Sequence, residues 1–98
     1  MFNKFFSIIR VTGKSMLPTY KEGDYLFVTR LFFNFFIKKN RDVVFIHDKI
    51  GMMLKRVHTV EKTSKSFRVF GLSEESIASQ EIGDIPFRKA IGIVFYKL

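Results

Sequence analysis

The chain has 98 residues, enough for one domain with a modest core, and at 47% hydrophobic residues it lies outside the composition of disordered chains. It has no cysteine, which excludes a disulfide scaffold and a thiolate zinc site. Its formal charge of +8 fits an anionic partner, nucleic acid or an anionic membrane, and equally a plain solvated basic surface.

The N-terminal stretch Met1–Ile9 is apolar, but Asn3 and Lys4 interrupt it and Arg10 ends it. It is too short for a secretory signal. Nowhere does the chain reach the ~18–20 consecutive apolar residues that a membrane-spanning helix needs. Phe5–Val11 reads as a first strand or a short anchor. Next comes Gly13-Lys14-Ser15-Met16-Leu17-Pro18-Thr19, followed by an acidic turn, Glu22-Gly23-Asp24. Gly13 allows a sharp turn, and Pro18 fixes its own φ and disfavours helix at Leu17. A serine on so constrained a turn can present its hydroxyl and its backbone N–H together. Acyl transfer needs a nucleophile and a donor to the oxyanion, so Ser15 is a candidate for both. A polar turn leading into a strand satisfies the same pattern.

Tyr25–Thr29 is rich in β-branched and aromatic residues and reads as a strand. Strands are also expected at Asp42–His47, Met52–Val60, Lys65–Phe70 and Ile91–Tyr96, with Glu74–Gln80 a helical turn or an irregular loop. Short strands separated by turn signals predict a mainly β domain. Arg30–Arg41 breaks this rhythm, with Leu31, Phe32, Phe33, Phe35, Phe36 and Ile37 ahead of Lys38, Lys39 and Arg41. Two readings fit that segment. It packs into the core as a short hairpin or helix, or it meets an anionic membrane, with phenylalanines at the acyl boundary and basic residues at the head groups.

Serine needs a base within hydrogen-bond reach. His47 and His58 are available, but no motif surrounds either. Strand alternation puts Met53, Lys55 and Val57 on one face, and Leu54, Arg56 and His58 on the other. Lys55 then has apolar neighbours. Burial lowers a lysine pKa and frees the amine as a base. A lysine whose stem lies on apolar surface at an edge strand gives the same pattern. Arg56, facing the other way, stays charged and meets solvent or a carboxylate.

Ser15-Met16-Leu17-Pro18-Thr19 with Gly23-Asp24 resembles the serine box of the type I signal peptidases and their relatives, the serine–lysine proteases. Asp42-Val43-Val44-Phe45 resembles the second box, with Arg41 in place of its glycine. Leu54-Lys55-Arg56-Val57 resembles the lysine box. Phe70-Gly71 through Ser76 and Ser79, then Gly83-Asp84-Ile85-Pro86, resemble the closing box. The similarity runs from about Val11 to the C-terminus.

The resemblance implies a small, coiled, partly barrel-like antiparallel fold of the signal-peptidase and repressor-protease type. It would occupy residues 1–98 as one peptidase domain, with an insertion at about 30–41. It implies Ser15 as nucleophile, Lys55 as base, Ser76 as the hydroxyl that orients the lysine, and the Ser15 backbone N–H in the oxyanion hole. Met16 is expected to line the substrate pocket, and Asp24 to tie the turn. No metal or organic cofactor is implied.

The closing box departs from the family, with Gly71-Leu72-Ser73 and Ala78-Ser79-Gln80 where an Asp–Arg ion pair is usual. Typical signal peptidases carry membrane spans before the serine box, and this chain has none there. The expectation is a serine endopeptidase that removes a leader or signal segment from a protein substrate. It is peripheral to a membrane through Leu31–Arg41, or cytoplasmic. The first alternative is a soluble maturation peptidase for one partner protein, of the nickel superoxide dismutase maturation type. A self-cleaving repressor is disfavoured by the short stretch before Ser15. A basic, aromatic-rich β-domain that binds single-stranded nucleic acid is the reading from another class, and it gives Ser15 and Lys55 no role.

Overall fold

A computed structural model describes residues 5–73 and 82–98. Seven strands form one antiparallel sheet: β1 (Phe6–Arg10), β2 (Tyr25–Thr29), β3 (Asp42–His47), β4 (Gly51–Glu61), β5 (Ser66–Phe70), β6 (Ile85–Pro86) and β7 (Ala90–Lys97). Their order across the sheet is β1-β2-β7-β3-β4-β5-β6. The mainly β expectation holds. The sheet is open, because β1 and β6 lie at opposite edges and do not pair with each other.

Alternation along the inner strands divides the apolar residues between two faces. Val43 and Phe45 of β3, Met53 and Val57 of β4 and Ile93 of β7 join one buried cluster. Their neighbours Val44 and Val94 join a second, with Leu26 and Val28 of β2 and Val11, Met16 and Tyr20 of the loop after β1. Phe45 and Phe67 anchor the first cluster as an edge-to-face pair with centroids 5.9 Å apart. Buried aromatic pairs of this geometry add roughly 0.5–1.5 kcal/mol beyond the area they remove from water.

The apolar stretch that begins at Arg30 forms a single helical turn, α1 (Phe33–Phe36). It divides its side chains between the core and the solvent. Phe33 and Ile37 are buried in the first cluster. Phe32 and Phe35 are 67% and 69% exposed. Arg30 secures the turn by donating to the carbonyls of Phe87 and Ala90 and by lying 4.6 Å from the Phe33 ring centroid. No described helix is long and apolar enough to cross a membrane.

Candidate active site

The β1–β2 hairpin carries a long loop, residues 11–24, closed at its neck. Val11 N–H donates to Asp24 O (2.8 Å), and Gly23 N–H donates to Val11 O (2.9 Å). Asp24 Oδ2 accepts from Lys21 N–H (2.9 Å), so this carboxylate does tie the turn. Gly13 has φ +83, a conformation that side chains with a Cβ rarely adopt. The Leu17–Pro18 peptide bond is cis. Ser15 follows Gly13 and is half-buried. Its carbonyl accepts from Leu72 N–H (2.7 Å) and Ser73 N–H (2.9 Å), which fastens the serine to the 71–73 segment.

Lys55 lies in the row Met53-Lys55-Val57 of β4, as alternation predicts. It is 2% exposed. Desolvation holds its amine below the ordinary lysine range of 10.5. β5 pairs with β4 only from Arg56 onward, while β3 pairs with the whole stretch from Gly51 to Arg56. The side of Gly51–Leu54 away from β3 is therefore not paired by a described strand.

Ser15 and Lys55 open into one cavity of about 250 Å³, whose walls include Gly13, Ile50, Met52 and Met53. A smaller cavity, about 90 Å³, is lined by Ser15 together with Ile9, Met16, Met52 and Leu54. Met16 is thus both a wall of this cavity and, at 2% exposure, a member of the second core cluster. Ser76 and Ser79 lie outside the described residues.

The histidines stand apart from this cavity. His47 Nδ1 accepts from the N–H groups of Lys49 and Ile50, and its Nε2 lies 3.3 Å from Ile82 O. His58 meets the Phe70 ring edge-on. Arg56 has found a carboxylate. Its Nε donates to Asp42 Oδ1 (2.7 Å) and an Nη to Asp42 Oδ2 (3.0 Å). Oδ2 also accepts from the Tyr20 hydroxyl (2.6 Å). Neither Tyr20 nor Asp42 stood out in the sequence as part of a site. Asp42 sits directly opposite Arg56 in the β3–β4 ladder, and such cross-strand opposition was the signal that could have paired them.

Comparison with known proteins gives one match: a family model described as Peptidase S24-like covers residues 3–87. No curated protein and no solved structure matches the chain.

Proposed function

The chain belongs to the Peptidase S24-like family, and from that membership we propose that it is a serine endopeptidase working through a Ser15–Lys55 dyad. The observation that carries this reading is the cavity shared by a half-buried serine and a desolvated lysine. In the proposed cycle the neutral Lys55 amine takes the Ser15 hydroxyl proton as Oγ attacks the scissile carbonyl. The developing oxyanion is met by the Ser15 backbone N–H. Collapse breaks the C–N bond, and the Lys55 ammonium gives its proton to the leaving amine. Lys55 then takes a proton from water, hydroxide attacks the acyl-enzyme, and the proton returns to Ser15 as the acid leaves.

The proposed substrate is an extended peptide, since added strands bind by main-chain hydrogen bonds with pockets for alternate side chains. Met16 would contact one such side chain. Ser76 is proposed to orient the lysine amine. The expected reaction is removal of a leader or signal segment from a protein. A maturation peptidase with one partner protein shares this chemistry and differs only in substrate range.

An anionic membrane surface belongs to the same proposal. Phe32 and Phe35 project into solvent, and Lys38 Nζ lies 5.7 Å from the Phe35 ring centroid. Phe6, Phe95 and Tyr96 are exposed as well and, with Phe27, form a contiguous series of ring contacts. Exposed aromatics beside cations suit the interface of an anionic bilayer.

The test incubates the purified chain and its Ser15→Ala and Lys55→Ala variants with a peptide library carrying small residues before the cut. Each is run with and without phosphatidylserine vesicles, and products are read by mass spectrometry. Cleavage by the wild type that both variants lose supports the dyad. Cleavage that survives both variants refutes it. Fragments of the chain itself, without peptide turnover, would favour a repressor-type autoprotease.

A further inference from the structure

Ser15 and Lys55 reach their cavity from separate segments, so their mutual distance depends on what joins the serine loop to β4. We propose that Tyr20, Asp42 and Arg56 form a clamp that positions Ser15 against Lys55. This inference rests on the dyad reading.

The clamp touches all three segments concerned. Tyr20 belongs to the serine loop, and its N–H donates to the carbonyl of Met16, the residue after the nucleophile (3.0 Å). Its hydroxyl reaches across to Asp42, the first residue of β3. Asp42 holds Arg56 through two hydrogen bonds, and Arg56 is the residue after Lys55. In the ladder the Asp42–Arg56 pair adjoins the Val43–Lys55 pair. Adjacent residues of a strand face opposite ways. Holding Arg56 on one face of β4 therefore commits Lys55 to the other.

Chemistry favours a positioning role over simple filling. Tyr20 and Asp42 are each only 8% exposed, and a buried polar cluster of this kind is costly to desolvate. Apolar side chains would fill the space without that cost, but they impose no direction. A two-bond guanidinium–carboxylate contact imposes both direction and distance. Tyr20 and Arg56 also keep their protons while the dyad works. Burial, and then the hydrogen bond to Asp42, push the Tyr20 hydroxyl far above the ordinary tyrosine range, so it remains a donor. The hydrogen bond to Asp42 raises Arg56 in turn.

The experiment uses the full chain labelled with ¹³C at lysine Cε. Lys55 is assigned by the Lys55→Met variant, and its titration is followed in wild type, Tyr20→Phe and Arg56→Lys. Among the described residues Lys14 is the other charged group lining the cavity, so its resonance is followed as a control. Peptide kinetics are measured alongside, and circular dichroism verifies the fold. Tyr20→Phe keeps the ring and removes only the hydroxyl. In it, and in Arg56→Lys, Lys55 should titrate closer to an ordinary lysine than in wild type. The value of kcat should fall about tenfold or more, with KM nearly unchanged, as expected for a misplaced reacting group. Folded variants whose Lys55 titrates as in wild type and whose kcat is intact would overturn the clamp while leaving the dyad standing. A wild-type Lys55 that titrates as an ordinary lysine would remove the dyad, and the clamp with it.

Discussion

Replacing Gly92 by alanine tests the packing of the sheet at its centre. Gly92 lies on β7, opposite Val44 of β3. A Cβ there would stand 2.4 Å from the Thr29 carbonyl oxygen, 2.6 Å from its carbon and 2.9 Å from Val28 Cγ1. The first distance is about 1 Å short of ordinary contact, and the obstructing group is backbone, with no rotamer to change. β7 is bracketed by β2 and β3, so it cannot swing aside. Overpacking of this kind costs about 1–3 kcal/mol, and forcing β2 from β7 sacrifices a ladder hydrogen bond worth roughly 1 kcal/mol more. The expected loss of about 2–4 kcal/mol is a large part of the roughly 5–15 kcal/mol that stabilises a domain of this size. It should lower Tm by roughly 10–30 °C. Urea unfolding followed by circular dichroism, with linear extrapolation to water, gives the number directly. Gly51→Ala is the comparison. Gly51 has φ +97 with nothing within 4 Å of its Cβ position, so that substitution costs only the left-handed backbone strain, about 1–2 kcal/mol. If Gly92→Ala costs less than Gly51→Ala, the close approach of β2 and β7 is not what requires glycine.

Lys55→Met should abolish cleavage yet stabilise the fold at neutral pH. Because the folded chain holds Lys55 below its ordinary value, the unfolded chain binds a proton that the folded one resists. That penalty is complete below the folded pKa and fades as pH rises toward 10.5, so the advantage of the methionine variant over wild type should shrink over that window. A stability difference that stays constant with pH would contradict the desolvation of the Lys55 amine. Phe45→Ala, which empties a fully buried position touching Phe67, should cost about 3–5 kcal/mol in the same urea assay. Arg68→Ala, which breaks an exposed pair with Asp84, should change stability by no more than about 1 kcal/mol. Phe32→Ser with Phe35→Ser should leave the melting temperature nearly unchanged and abolish flotation with phosphatidylserine vesicles, since both rings already face solvent. Retained flotation would remove α1 from the membrane proposal.

Much of the fold is legible because period-two patterns are local. Asp42–His47 was expected and observed with the same bounds, and the burial of Lys55 between Met53 and Val57 follows from alternation alone. The Arg30–Arg41 stretch was recognisable as a departure, but its division was not. Whether Phe33 turns inward and Phe35 outward depends on Arg30 reaching the carbonyls of Phe87 and Ala90, some 57 and 60 residues away. Tyr20 was hidden for a similar reason, since its acceptor lies 22 residues on and the two meet only through the topology. β6, two residues long, carries too little pattern to be read without its partner β5.

The strand order also bears on when the sheet is completed during synthesis. β2 and β3 do not pair with each other; β7 stands between them, although it is the last strand in chain order. The serine loop leaves the β1–β2 half, and Lys55 belongs to the β3–β4–β5 half. Until residues 90–97 have emerged from the ribosome, no described strand joins the half that holds the proposed nucleophile to the half that holds the proposed base. A nascent chain at that stage carries both groups without the sheet that unites them. The proposed dyad can therefore be sealed in place only once this central strand has joined the sheet.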